Sequence, residues 1–263
     1  MPTSDIGGAR IHYQDTGSGR EVVLLLHAFP LHSGMWARQI AALSARFRVI
    51  APDYPGLGKT PPRPEPSTME VLAEEVVGLM GSVRVDRAVV VGLSMGGYLS
   101  FELYRKAPSL FRALALCDTR AGADTPEAAA GRETFAKNAI EKGLHWVADE
   151  MTPKLLRPQP DPAAVREVRA LIGQGTPAGV AAAQRGMARR PDSFPTLPTI
   201  SCPTLVVVGA EDTLTPPAEA EKMAAGVKGS RLVQIAGAGH LPNVEAPDAL
   251  NKALLEFLGS VPQ

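Results

Sequence analysis

Ser94, Asp212 and His240 are far apart in the chain but have the residue types that acyl transfer requires. Ser94 lies in Gly92-Leu93-Ser94-Met95-Gly96, a match to G-x-S-x-G. A serine hydroxyl attacks a carbonyl only when a neighbouring base takes its proton. His240, in Gly237-Ala238-Gly239-His240-Leu241-Pro242, is the candidate base. Neutral imidazole can take the serine proton and return it to the leaving group. Asp212, in Gly209-Ala210-Glu211-Asp212, is the candidate acid that would hold the imidazole in the right tautomer. Asp118 is its rival, because Leu114-Ala115-Leu116-Cys117-Asp118 also ends an apolar run. The oxyanion that forms needs two N–H donors. Met95, directly after the nucleophile, supplies one candidate. Phe29, in His27-Ala28-Phe29-Pro30, supplies the other, since Pro30 has no N–H.

These residues can meet only if the chain brings them to one edge. Short apolar runs at 22–26, 48–51, 88–91, 113–116, 205–208 and 232–235 each end just before a candidate residue or a turn. Unalternated Val- and Leu-rich runs suit strands buried on both faces of a parallel sheet. Helical patterns fall between them, at 33–45, 68–81, 95–107, 217–225 and 247–258, with Thr68 as an N-cap. Repeated strand–helix alternation predicts an α/β fold with helices on both faces of a mostly parallel sheet. Ligands in such sheets bind beyond the carboxyl ends of the strands. Arg10–Gln14 alternates instead and is expected to open the sheet as an antiparallel edge. Ser94 then falls on a sharp strand-to-helix turn, where Gly92, Gly96 and Gly97 let the chain pass closely. The remaining histidines lack a place in the serine–acid–histidine order. His27 is read as a loop-orienting residue and Asp53 as a turn former.

The alternation lapses between Thr119 and Pro198. Helical pieces at 128–142 and 162–172 suggest an inserted helical layer. The domains are therefore expected to be a core over 1–118 and 199–263 and a helical cap over 119–198. Phe29, Trp146, Met151, Met187 and Leu241 are the expected pocket-lining residues. The cap arginines Arg120, Arg132, Arg157, Arg185, Arg189 and Arg190 are read as mostly solvated, although one in the pocket would suit a carboxylate. Pro61–Pro66 reads as a stiff spacer.

Composition narrows the partners. Lys plus Arg is 27 and Asp plus Glu is 27, so no net charge draws the chain to nucleic acid or an anionic membrane. No apolar stretch approaches the ~20 residues that span a bilayer. The polar start, Met1 to Arg10, lacks a secretory pattern, which makes the cytoplasm the expected location. Cys117 and Cys202 are read as reduced core thiols. No residue cluster has metal-ligand spacing and no phosphate-cradling G-x-G-x-x-G is present, so no cofactor is expected.

Taken together, His27-Ala28-Phe29-Pro30, Asp53-Tyr54-Pro55-Gly56-Leu57-Gly58, the Ser94 motif, Gly209-Ala210-Glu211-Asp212 and Gly237-to-Pro242 resemble the α/β-hydrolase superfamily. The resemblance implies an eight-stranded sheet with a cap after strand six. It also implies Ser94 as nucleophile, Asp212 as acid, His240 as base, and the Phe29 and Met95 N–H groups as the oxyanion hole. Ala28 departs from the glycine many members carry there. The serine separates the chain from epoxide hydrolases and dehalogenases of this fold, which use Asp at that point. The cap and Leu116-to-Ala121 are similar to the 3-oxoadipate enol-lactonase group. His27-to-Leu31 with Met35-Trp36 resembles cofactor-free haloperoxidases. The implied activity is hydrolysis of a small-molecule ester or lactone, with perhydrolysis by the same residues or non-catalytic ligand binding as alternatives.

Overall fold

The computed structural model describes residues 2–63 and 66–262. Eight strands form one sheet: β1 (Thr3–Ile6), β2 (Ala9–Thr16), β3 (Val22–Leu26), β4 (Arg48–Pro52), β5 (Ala88–Leu93), β6 (Phe111–Cys117), β7 (Thr204–Gly209) and β8 (Arg231–Ile235). Their order across the sheet is β1-β2-β4-β3-β5-β6-β7-β8. From β4 to β8 every pairing is parallel, while β1–β2 and β2–β4 are antiparallel. The central strands are buried on both faces, as their continuous apolar runs predict. Two strands differ from expectation. Arg10–Gln14 does not lie at the edge, because Thr3–Ile6 pairs outside it. β8 is the opposite edge, and Leu232 is exposed there, so that run is not buried on both faces.

The helices are α1 (Ala37–Leu43), α2 (Met69–Ser82), α3 (Met95–Lys106), α4 (Pro126–Leu155), α5 (Pro162–Ile172), α6 (Pro177–Ala188), α7 (Pro217–Gly226), α8 (Pro242–Glu245) and α9 (Pro247–Ser260). On the sheet, α2 packs against α3 and α1 against α9. Helices α4, α5 and α6 all fall between β6 and β7. Each starts on a side-chain cap followed by proline: Thr125-Pro126, Asp161-Pro162 and Thr176-Pro177. The cap oxygen accepts a free N–H of the first turn, and proline at the first position loses no hydrogen bond. Gly143, with φ of 76°, breaks α4 into two pieces. Pro61–Pro66 includes Pro64 and Glu65, which lie outside the described residues. Cys117 is buried, Cys202 is half-buried, and both are free thiols. Among the described residues, no helix is long and apolar enough to cross a membrane.

The inserted helices rest on the core through bare backbone. A Cβ on Gly179 of α6 would lie 2.3 Å from the Gly56 carbonyl oxygen. Thr176 donates its N–H to the same oxygen at 2.8 Å. Gly179→Val therefore forces the helix off the core loop. Overpacking of this kind costs about 1–3 kcal/mol. A fall in Tm of roughly 2–10 °C is expected for a domain of this size. A thermal melt checks it, and an unchanged Tm would show that the two backbones can separate freely.

Candidate active site

The candidate nucleophile, acid and base, with Asp118 and Phe29, each lie beyond the carboxyl end of a strand. Phe29 follows β3, Ser94 follows β5, Asp118 follows β6, Asp212 follows β7 and His240 follows β8. The parallel register makes those ends adjacent. Ser94 adopts φ 57° and ψ −112°, a conformation rare for a residue with a side chain. The tight turn is possible because its neighbours are bare. A Cβ on Gly96 would sit 2.1 Å from the Leu26 carbonyl oxygen. The Ser94 N–H donates to Cys117 O at 2.9 Å, and the Thr119 hydroxyl donates to Ser94 O at 2.8 Å. The serine is thus tied to the end of β6 and to the residue after Asp118. Met95 begins α3, so its N–H is one of those that no helical carbonyl reaches.

Asp212 and His240 form a buried pair. His240 Nδ1 lies 2.8 Å from Asp212 Oδ2. A carboxylate only accepts, so the proton sits on Nδ1 and Nε2 keeps its lone pair. That Nε2 is buried and has no hydrogen-bond partner. Leu214 and Thr215 donate their N–H groups to Asp212 Oδ1 at 2.8 and 3.0 Å, and the Thr215 hydroxyl donates to Oδ2 at 2.6 Å. Burial pushes Asp212 up, but the hydrogen bonds from His240 and Thr215 outweigh it and hold the carboxyl below its ordinary value. Asp118, Asp212 and His240 bring ligand-type atoms within 4.8 Å of one another. Those of Asp212 and His240 are committed to each other, so the cluster reads as a hydrogen-bonded unit and not as a metal site.

The loop after β3 is fixed by His27. Its Nδ1 donates to Ala28 O at 3.0 Å, its Nε2 accepts from Tyr54 N at 3.1 Å, and its ring stacks on Tyr54. Complete burial lowers its pKa to about 4, so it stays neutral. Ala28 is not among the described non-glycine residues with positive φ, so this path does not need the glycine conformation. Asp53 receives the N–H groups of Ser33 and Lys59, both at 2.9 Å, as a turn former does.

Ser94 opens onto a cavity of about 230 Å³ lined by Phe29, Tyr98, Arg120, Phe135, Met151 and Met187, among others. Phe29, Met151 and Met187 are thus where the sequence reading put them. Trp146 is not among the lining residues, and its ring packs on that of Phe135, with centroids 4.8 Å apart. Leu241 is fully buried, packs into the core, and does not line the cavity. Sequence reasoning missed Tyr98, Phe135, Asp124 and Thr215. Only Thr215 left a signal, as a hydroxyl three residues after the acid, where it can close a turn.

The cavity is electropositive. Arg120, Arg132 and Lys154 line it, against the single carboxylate Asp124. Asp124 is already paired with Arg132 and, at 2.7 Å, with Arg190. Burial pushes Asp124 up, but the two guanidinium groups overcome that and bring it to about 2. Arg190 is buried over the Tyr98 ring, which corrects its reading as solvated. Arg189 is exposed, as expected. Arg120 makes no carboxylate contact within ion-pair distance among the described residues, and its buried Nε has no hydrogen-bond partner. Burial opposes its charge, but Tyr98 and the acids Asp124 and Glu219 outweigh this and hold its pKa above the ordinary value.

Sequence and structure comparisons place the fold. The family described as the alpha/beta hydrolase fold matches residues 21–247, and the chain belongs to it. Among solved structures, a thermophilic esterase from Thermogutta terrifontis, with malate bound, superposes with a TM-score of 0.95 at 41% identity, covering 99% of this chain and 97% of that one. The enol-lactonase from Burkholderia xenovorans LB400 superposes with a TM-score of 0.91 at 30% identity, covering 98% of this chain and all of that one. By sequence, 3-oxoadipate enol-lactonase 2 of Acinetobacter baylyi is 27% identical over 238 residues, 89% of this chain and 87% of its own. The chain is an enzyme of the α/β-hydrolase superfamily, and its relatives include esterases and lactonases.

Proposed function

We propose that the chain hydrolyses a carboxylic ester or lactone through an acyl-enzyme on Ser94, with His240 as base and Asp212 as acid. The observation that carries this is the unpartnered His240 Nε2, whose Nδ1 proton is committed to Asp212. In the first step the Ser94 oxygen attacks the carbonyl and its proton passes to Nε2. The N–H groups of Met95 and Phe29 receive the oxyanion. The imidazolium then protonates the leaving alcohol, and water repeats the sequence to free the acid. Residues 119–198 act as a cap, which supplies most of the acyl pocket. The cytoplasm and a small-molecule substrate are the accompanying readings.

The substrate is small and carries a carboxylate. The cavity of about 230 Å³ lies below the roughly 300–1,000 Å³ of drug-sized sites. Arg120 supplies a cation to the cavity that Ser94 opens onto, and no carboxylate among the described residues lies within ion-pair distance of it. Malate, the molecule bound to the Thermogutta esterase, is itself a dicarboxylate, which supports the reading.

The test is a matched pair of short esters, one ending in a free carboxylate and one in its neutral methyl ester. The wild type should favour the charged member. A charge-assisted hydrogen bond contributes about 1.5–3 kcal/mol, so Arg120→Gln should cut that preference by roughly 10- to 100-fold, mainly through KM. Equal loss on both esters would remove the carboxylate reading, and turnover of neither would remove the hydrolase reading.

A further inference from the structure

Asp118 has no part in the chemistry just described, yet it is buried among the groups that perform it. It ends β6 with φ of 43°, a left-handed conformation that side chains seldom adopt. Its N–H donates to Val207 O, and its Oδ1 accepts from Gly209 N at 2.7 Å. Its Oδ2 is buried and receives no donor. The charged groups that act on it are both acids: Asp212 after β7 and Glu245 on α8. His240 completes the surroundings within 4.8 Å. Asp212 differs in every respect, with four donors on its two oxygens. Two adjacent buried carboxyls cannot both ionise, and the one better supplied with donors takes the charge.

We propose that Asp118 and Asp212 form a two-carboxyl unit holding one proton, in which Asp118 is the neutral acid and a positioning residue for Asp212. The inference rests on the Ser94–His240–Asp212 reading. The proton sits on Asp118 Oδ2, the oxygen that nothing else donates to, and points at the Asp212 carboxylate. When ionised, Oδ2 is an acceptor that finds no donor; when protonated, it becomes an O–H donor that can reach an acceptor. The unit then carries one negative charge. When Ser94 gives its proton to His240, a single positive charge faces a single negative one, and the Asp118 proton stays where it is. Burial and the charge of Asp212 both push the Asp118 carboxyl well above the usual carboxylate range, in keeping with this arrangement. An ionised Asp118 would double the negative charge behind the imidazole and make it hold its proton too firmly to act as base near neutrality.

Infrared difference spectroscopy tests the proton directly. At pH 7 the wild type should show a buried carboxylic-acid C=O band that resists hydrogen exchange and is lost in Asp118→Asn. Kinetics test the role. Asp118→Ala should lower kcat by about tenfold and move the acid limb of the kcat/KM profile to higher pH, because Asp212 loses a donor. Asp118→Asn replaces the O–H by an amide N–H and should recover most of both effects. A wild-type spectrum that matches Asp118→Asn would overturn the proposal, as would an Ala variant that loses only Tm with its pH profile unmoved. The band needs no turnover, so it stands or falls separately from the ester hydrolysis itself.

Discussion

Ser94→Ala is expected to abolish turnover of short p-nitrophenyl esters, with a loss of about 10⁶ in kcat. The size follows from the site. In the proposed mechanism the hydroxyl removed is the atom that bonds the acyl group. Besides Ser94, the polar groups lining the cavity are Tyr98, Gln184 and charged side chains, and the hydrogen-bond partners of the His240 imidazole among the described residues are Thr215 and Asp212. The proposed oxyanion donors are backbone N–H groups that the substitution leaves in place, so a residual rate of about 10³–10⁴ over water should remain. The fold should survive as well. Ser94 holds its turn through its backbone N–H and carbonyl, to Cys117 and Thr119, and alanine keeps both bonds. A His240→Ala change added to the first should cost little more, because the two side chains act as one unit. Initial rates on the purified single and double variants, with a thermal melt for each, check this. Full activity in Ser94→Ala would show that the chemistry runs through another group. A fluorophosphonate probe provides the complementary reading, since intact mass should show one adduct on the wild type and none on the variant.

What could be read from the sequence depended on burial symmetry. Strands β3, β5, β6 and β7 stood out because both faces are covered, which leaves no polar positions to interrupt the run. The same rule misread β8, whose Leu232 and Val233 are apolar although the strand is an edge. It also hid β1, because four residues of mixed polarity carry no pattern. Coverage on both sides also hid helix α6. Pro-Ala-Gly-Val-Ala-Ala-Ala-Gln packs α4 on one side and the core loop at Gly56 on the other, so it shows no polar stripe. Site residues were legible where they end strands, since the sheet alone fixes their place. Cap residues were not. Met151 and Trp146 lie on the same piece of α4, yet Met151 lines the cavity while Trp146 packs on Phe135. The Asp124–Arg190 pair joins residues 66 apart, and nothing local marks either as buried.

Asp212→Asn is expected to lower kcat by about 10⁴, more than the loss of a charge in a polar site would cost, because it fixes the wrong tautomer. The orientation of the new amide is set by the backbone. Leu214 and Thr215 direct their N–H groups at the position of Oδ1, which only the amide oxygen can occupy. The NH₂ must then take the place of Oδ2, 2.8 Å from His240 Nδ1. A donor there forces Nδ1 to accept, so the imidazole proton moves to Nε2. The nitrogen that should receive the Ser94 proton is then already protonated, and the base is lost without any change of shape. The effect on stability has a definite sign. The Asp212 carboxyl lies below its ordinary value in the folded chain. Its contribution is therefore complete above the ordinary carboxylate range and is lost as pH falls through the lowered value. Wild type should be more stable than Asp212→Asn near neutrality and should converge on it in acid. Melts from pH 7 to pH 3 check the convergence, and rates between pH 7 and 9 check the tautomer. Recovery of activity at high pH would argue against the tautomer account, because raising pH removes no proton from a neutral imidazole.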